Sequence, residues 1–163
     1  MIPAAIRASV RLGKRACMFK HILVPTDGSA ASAAAVEAAV DLARDTGARL
    51  DGLHVMPLRP QFSHILGVLA VPGNEAMARE YLGYIERRAA QAGIPVSVLT
   101  RTSDTPSAAI VTAARDLQCD LIVMGSHGRT GARALLLGSQ TQAVLAHSAI
   151  PVLVVRQPDT STA

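Results

Sequence analysis

The chain has little with which to bind nucleic acid. It contains no tryptophan, and its aromatic residues are Phe19, Phe62, Tyr81 and Tyr84, so few rings are present to stack on unpaired bases. The formal net charge is +4, but four of the 16 basic residues lie within residues 1–17, which contain no acid. The other twelve are balanced by twelve acidic residues, which leaves little excess charge for counterion release. We predict no nucleic-acid partner.

Cysteines and long apolar runs are also scarce. Cys17 and Cys119 are the two cysteines; they are too few for a disulfide framework, which fits a reducing cytoplasm. The longest uncharged apolar run, residues 65–72, is far shorter than the roughly 20 residues of a membrane-spanning helix. We therefore expect a cytoplasmic protein without a membrane partner. His21, His54, His64 and His147 show no spacing typical of metal ligands.

The basic first 17 residues have two interpretations. They are either a short targeting peptide or a misassigned start. The second is favoured because Met18 leads directly into the first predicted strand and no long apolar stretch precedes it. We expect one domain over residues 18–156, a disordered leader where residues 1–17 are translated, and a frayed polar tail over residues 157–163.

Apolar runs and helical periodicity alternate along the domain. Strand patterns cover residues 21–25, 48–55, 94–101, 120–124 and 151–155. The first helix pattern follows the helix-start signal at residues 26–29 and runs to about residue 46, where Gly47 is a natural C-cap. Further helix patterns cover 74–92, 107–118 and 139–147, and Thr105 can cap the third helix with Pro106 at its first position. This alternation predicts a parallel sheet with right-handed crossovers. Such sheets bind ligands beyond the carboxyl ends of their strands. The connection over residues 57–73 holds three prolines and the apolar segment 65–71, which favours core or a lid over a partner site.

A glycine pattern follows the fourth predicted strand. Gly125 and Gly128 are separated by two residues, and Gly138-Ser139 comes nine residues later, where a helical pattern begins. Glycines between a strand and a helix let backbone N–H groups approach a phosphate. The alternative is a structural turn that only packs the helix. No Gly-x-x-x-x-Gly-Lys-[Ser/Thr] sequence is present, so the chain is not a P-loop NTPase.

Two segments resemble universal stress proteins. One is the opening Lys20-His21-Ile22-Leu23-Val24-Pro25-Thr26-Asp27-Gly28-Ser29. The other runs from Asp120-Leu121-Ile122-Val123-Met124-Gly125-Ser126-His127-Gly128-Arg129 through Leu137-Gly138-Ser139 to Pro151-Val152-Leu153-Val154-Val155. The resemblance covers about residues 18–156. It implies an open five-stranded Rossmann-like α/β sheet, in strand order 3-2-1-4-5, with helices on both faces.

The resemblance also implies ATP binding, since ATP-binding members of that family carry the glycine pattern. Gly128, Gly138 and Ser139 would hold the phosphates, and Mg²⁺, or Mn²⁺, would bridge them. Pro25, Thr26 and Asp27 would line the ribose and adenine side, with Val55 contacting adenine through its backbone. The expected site comprises Pro25, Thr26, Asp27, Val55, Met124, Gly125, His127, Gly128, Arg129, Gly138, Ser139, Gln140 and Thr141.

Several of these residues keep a second interpretation. Asp27 at a strand–helix turn is as well placed to cap the helix as to contact ribose or a metal. Arg129, with Arg133, is either a phosphate screen or a solvated loop residue, and His127 is more typical of a solvated loop than of a catalytic base. Gln140 either reaches a phosphate or faces water, and Thr141 is a further hydroxyl donor.

The resemblance implies a homodimer through strand 151–155, since an exposed apolar edge favours pairing. The alternative is that the tail covers this strand. We expect a nucleotide-dependent regulatory module in the stress response. A protein partner that the sequence does not identify would recognise its nucleotide-bound state. The module itself would be at most a weak ATPase. Two alternatives are a slow ATPase, phosphotransferase or adenylyltransferase of related fold, and a nucleotide-free structural dimer.

Overall fold

A computed structural model describes residues 18–58, 73–127 and 137–156. Five strands alternate with four helices. Their bounds are β1 (His21–Pro25), α1 (Ala30–Thr46), β2 (Arg49–Met56), α2 (Gly73–Gln91), β3 (Val96–Thr102), α3 (Pro106–Asp116), β4 (Leu121–Gly125), α4 (Ser139–His147) and β5 (Val152–Val155).

The strands form one parallel sheet in the order β3-β2-β1-β4-β5. The expected fold class and strand order are both confirmed. The chain winds outward from β1 in one direction through β2 and β3, then returns to the other side of β1 with β4 and continues to β5. The carboxyl ends of β1 and β4 are therefore neighbours, and the loops that follow them diverge to opposite faces of the sheet.

Each face of the sheet has its own apolar layer. On one face, α1 and α2 pack against side chains that include Ile22, Val24 and Val123. On the other, α3 and α4 pack against Leu23, Ile122 and neighbouring residues. β1 and β4 are buried on both sides along their whole length, as expected for central parallel strands.

Helix α1 begins and ends at the residues that its sequence indicates. Ser29 is the N-cap, and its side chain accepts a hydrogen bond from the Ser32 N–H. Gly47 ends the helix in the left-handed region at φ 73°, where glycine has no Cβ penalty. Asp27 does not cap the helix: its Oδ1 accepts from the Ser29 N–H at 3.0 Å and so closes the turn before the cap.

Helix α3 differs from its expected form at both ends. Thr105 is the N-cap residue, but its side chain makes no capping hydrogen bond. The helix ends at Asp116 rather than Gln118, because Gln118 takes φ 56°, a conformation for which no glycine gave a signal. The other elements begin or end within two residues of the expected bounds.

Some expectations fall outside the described residues. These are the leader, the apolar segment 65–71, the tail over 157–163, Gly128, Arg129 and Arg133. Among the helices that the structure describes, none is both long and apolar enough to cross a bilayer.

Candidate functional site

A crevice of about 520 Å³ opens at the carboxyl ends of the central strands. Its volume lies within the range of sites that bind small molecules. The crevice is bounded by the ends of β1, β2 and β4 and by the first turns of α3 and α4. Its lining residues are Pro25, Thr26, Asp27, Ser32, Leu53, Val55, Pro106, Ile110, Met124, Gly125, His127, Gly138, Ser139, Gln140 and Thr141.

One part of the crevice is apolar, with open backbone at its edge. Leu53, Ile110 and Met124 are buried members of the α3–α4 layer that also line the crevice. β1 ends early: the Thr26 N–H donates to the Leu53 carbonyl at 2.8 Å, and no later pair joins β1 to β2. Val55 is two residues further along β2, so its backbone groups point to the same side as those of Leu53 but past the end of β1. They are placed to pair with the edge of a flat, polar ring.

The β1–α1 turn is held by its own side chains. The Thr26 hydroxyl lies 3.2 Å from that of Ser32 and accepts from the Gly28 N–H at 3.3 Å. From the opposite face of the sheet, His54 donates its Nδ1–H to the Thr26 carbonyl at 2.8 Å. The His54 ring contacts Tyr81 edge to face. These bonds fix the backbone that presents Asp27, a partly buried carboxylate, to the crevice.

The end of β4 is shaped by packing. A Cβ built on Gly125 would lie 2.7 Å from the carbonyl carbon and oxygen of Ala31 in α1, closer than real side chains approach. The Gly125 carbonyl accepts from the hydroxyl of Thr141 at 2.9 Å, so the proton expected to serve a ligand is already donated to the backbone. Both contacts give these residues an architectural role that needs no ligand.

The first turn of α4 faces the crevice. Gly138 is its N-cap and supplies no capping side chain, and the Gly138 N–H donates to the Ser126 carbonyl at 2.7 Å. The amides of Ser139, Gln140 and Thr141 follow as the first three of the helix, which have no intrahelical acceptor. Helix N-termini favour anions by about 0.3–1 kcal/mol at exposed sites. The crevice therefore has one apolar part and one part suited to negative charge.

His127 lines the crevice beside these amides. Its Nδ1 lies 3.0 Å from the hydroxyl of the buried Ser126. No carboxylate of the described residues bonds the His127 ring, so nothing there orients it as the base of a catalytic triad.

A second polar cluster lies at the opposite, amino end of the strands. His21, Asp51 and Cys119 are all buried, and their potential ligand atoms lie within 4.8 Å of one another, although no sequence spacing brings them together. The His21 Nε2–H donates to Asp51 at 2.6 Å, and Nδ1 accepts from Arg49 at 3.0 Å. Both ring nitrogens are thus engaged, and a guanidinium beside the ring opposes a further cation. The cluster satisfies buried polar groups.

Burial controls the chemistry of Cys119. Loss of hydration, reinforced by the negative charge of Asp51, raises the pKa of its thiol to about 12. The thiol is therefore protonated near neutral pH and is a poor nucleophile.

Comparison with known proteins identifies the family. A sequence model described as "Universal stress protein family" matches residues 18–156. The chain belongs to the universal stress protein family. Universal stress protein YxiE of Bacillus subtilis is 34% identical over 149 residues, covering 85% of this chain and 100% of that protein. Universal stress protein MJ0531 of Methanocaldococcus jannaschii is 30% identical, covering 86% of this chain and 84% of that protein.

Solved members of the family share the fold. The structure of MJ0577 from Methanocaldococcus jannaschii has a TM-score of 0.75 at 30% identity, covering 88% of this chain and 99% of that one. A universal stress protein solved in complex with cAMP has a TM-score of 0.60 at 28% identity, covering 85% of this chain and 97% of that one. That relative therefore binds an adenine nucleotide within a comparable fold.

The structure brings every described residue of the expected site to the crevice. Gly128 and Arg129 lie outside the described residues, and the ligand roles of all thirteen stay predictions. Four lining residues were not foreseen: Ser32, Leu53, Pro106 and Ile110. Leu53 had a signal, because it lies two residues before Val55 on the same face of β2. Ser32, Pro106 and Ile110 reach the crevice only through the packing of α1 and α3.

Proposed function

We propose that the crevice binds an adenine nucleotide, in particular ATP, and that the protein acts as a nucleotide-dependent regulatory module. One observation carries the proposal: the Val55 backbone beyond the last β1–β2 pair and the first amides of α4, for which no described residue supplies an acceptor, face the same cavity. The first suits the hydrogen-bonding edge of a base over the apolar side chains, and the second suits phosphate. The relative solved with cAMP supports this ligand class.

A divalent cation would be held mainly by the phosphates. Mg²⁺ prefers one or two carboxylates together with phosphate oxygens and water. Asp27 is the one carboxylate among the described lining residues, and its Oδ1 accepts a turn hydrogen bond. The Asp27 carboxylate alone thus fits a cation that binds together with the phosphates of the nucleotide. Bound there, the cation would neutralise phosphate charge, while the α4 amides and Ser139 orient the phosphates.

The direct test is to identify and then titrate the ligand. Small molecules released from the denatured protein are identified by liquid chromatography and mass spectrometry. Calorimetric titration of the emptied protein with Mg·ATP, ADP, AMP, cAMP and GTP then measures affinity and base preference. We expect adenine nucleotides to bind and GTP to bind at least tenfold more weakly. Absence of any nucleotide, bound or titrated, would leave the nucleotide-free structural dimer as the better account.

A pair of matched variants locates the phosphate end. Ser139 and Ala30 are the first residues of α4 and α1, and both are exposed. An acid at either position favours its own helix through the dipole, so neither variant should unfold the protein. Ser139→Asp should weaken ATP on the order of tenfold by placing negative charge beside the phosphates. Ala30→Asp, outside the crevice, should leave the affinity unchanged.

The enzyme alternative has its own readout. Steady turnover of ATP that is lost in Asp27→Ala, with ATP binding intact, would indicate an ATPase or transferase. We expect turnover to be weak, because no described residue of the crevice forms an oriented base and nucleophile pair.

We also propose pairing of two copies through β5. This strand bonds β4 on one side, and no described strand lies on its other side. Leu153 in its centre is 41% exposed. An apolar edge strand of this kind favours pairing with a second chain.

A further inference from the structure

Gln140 joins the two helix N-termini that border the crevice. It is the second residue of α4, and its side-chain carbonyl accepts a hydrogen bond from the Ser107 N–H at 2.9 Å. Ser107 is the second residue of α3. Because the donor is a backbone N–H, the accepting atom must be Oε1, which leaves the two Nε2 protons on the other branch of the amide.

The bond replaces a cap that α3 lacks. Thr105 makes no side-chain capping bond, and Pro106 at the first position has no N–H to satisfy. The Ser107 N–H is thus the first amide of α3 that needs an acceptor, and an acceptor for it comes from another helix 33 residues later in the chain. A capping acceptor of this kind contributes roughly 1 kcal/mol in ordinary helices.

The same side chain also lines the crevice. Gln140 and Pro106 are both lining residues, and Gln140 is exposed. No other hydrogen bond of its side chain involves a described residue, so Nε2 is available as a donor. Its position follows Ser139 directly, within the turn whose amides face the crevice.

We propose that Gln140 is a positioning and specificity residue of the nucleotide site. Its Oε1 holds the start of α3 against α4, so that the positive ends of two helix dipoles border one anionic group. Its Nε2 donates to that group. This inference rests on the proposed nucleotide function. It makes Gln140 a residue that discriminates between ligands by their charge and not by their base.

Two substitutions distinguish the role of Gln140 Oε1 from that of Nε2. Gln140→Glu keeps an acceptor for the Ser107 N–H but replaces the donor with a negative charge. Gln140→Met has similar length and removes both. Gln91→Glu is the control, because Gln91 also accepts through Oε1, from Arg88 at 2.6 Å, and lies outside the crevice. It adds the same net charge at the end of α2.

The first measurement is the hydrogen-exchange rate of the Ser107 amide, recorded by NMR on the ligand-free protein. We expect Gln140→Met to accelerate exchange at Ser107 on the order of tenfold, and Gln140→Glu to preserve or slow it. Unchanged exchange at Ser107 in Gln140→Met would overturn the cross-helix cap. This arm needs no nucleotide, so it is independent of the proposed function.

The second readout is affinity for adenosine, AMP, ADP and Mg·ATP. In Gln140→Glu we expect the loss to grow with ligand charge, from less than twofold for adenosine to on the order of tenfold for ATP. Gln91→Glu should bind all four as the native protein does. An equal loss for adenosine and ATP, or no loss, would refute the specificity role. If the native protein binds none of the four, the proposed function fails, and the ligand role of Gln140 fails with it.

Discussion

At the scale of single residues, the glycine pattern combines two different requirements. Gly125 is needed because α1 passes so close that a Cβ would meet the backbone of Ala31. Gly138 takes φ −61° and ψ 151°, which any residue can adopt, and its N–H closes the loop onto Ser126. The pattern therefore indicates a ligand less directly than its regular spacing suggests, since its first member is fixed by packing.

Gly125→Ala should destabilise the fold whether or not a ligand is present. Forcing a methyl group against the Ala31 backbone should cost about 1–3 kcal/mol in the free energy of unfolding. Gly83→Ala is the control: its Cβ would meet only the flexible end of Arg87, within α2, where alanine is favoured over glycine. Urea unfolding of the ligand-free proteins measures both changes. Equal stability of Gly125→Ala and the native protein would contradict the packing argument.

Cys119 should be unreactive while the protein is folded. Burial raises the pKa of its thiol to about 12, so the thiolate that alkylating reagents require is scarce at pH 8. In a Cys17→Ser background, iodoacetamide should modify Cys119 only after unfolding, as followed by peptide mass spectrometry. Modification at the rate of the unfolded chain would show that the side chain is accessible.

The same shift predicts a dependence of stability on pH. The unfolded thiol has a pKa near 8.5, so between about pH 9 and 12 the unfolded chain releases a proton that the folded one keeps. The free energy of unfolding should fall with rising pH across that range. The slope should be smaller in Cys119→Ala, which lacks the group, and equal slopes in the two proteins would contradict the shift.

At the scale of elements, two helices that begin at the carboxyl end of the sheet, α1 and α3, are capped in different ways. Ser29 caps α1 from within its own sequence, whereas Gln140 supplies the capping acceptor for α3 from α4. The α1 cap is therefore local and can be predicted from the sequence. The α3 cap exists only when two elements have packed.

This difference predicts unequal costs for two similar substitutions. Ser29→Ala removes the acceptor that the Ser32 N–H uses and should cost about 1 kcal/mol of stability. Thr105→Ala occupies the equivalent position of α3 but removes no side-chain capping bond, so its cost should be a few tenths of a kcal/mol. Thermal and urea unfolding give both values. A larger loss in Thr105→Ala would contradict the assignment of the caps.

At the scale of the whole molecule, the two ends of the sheet have different roles. The carboxyl end holds the crevice, where backbone amides and a few polar side chains face the space. The amino end holds the His21–Asp51–Cys119 cluster, whose polar atoms satisfy one another. The exposed apolar residues that the structure describes include Leu153 on the β5 edge, where the proposed dimer would form.

Leu153→Lys should disrupt the proposed dimer. A charge in the centre of β5 opposes edge pairing but, at a position 41% exposed, can still reach water in the monomer. Light scattering after size-exclusion chromatography should show the native protein at twice the chain mass of 17.0 kDa and the variant near one. Leu58→Lys, at a residue 52% exposed outside the sheet, is the control. A dimer that persists in Leu153→Lys would place the interface elsewhere.

The sequence by itself determined the elements, their order and much of the crevice. Apolar periodicity, Ser29 and Gly47 act over a few residues, so α1 could be predicted closely. The strand order and the adjacency of β1 and β4 came from the resemblance of two segments to a family, and the comparisons bear it out. The roles of the thirteen site residues stay predictions, although those described do line one cavity.

Tertiary structure alone decided which polar atoms are already engaged. It joined His21, Asp51 and Cys119, which are distant in sequence, and it directed the Thr141 hydroxyl to the Gly125 carbonyl. It also turned Gln140 toward Ser107. The physical reason is that a hydrogen bond depends on distances between elements, which local sequence patterns do not encode, whereas helix and strand propensities depend on neighbours within a few residues.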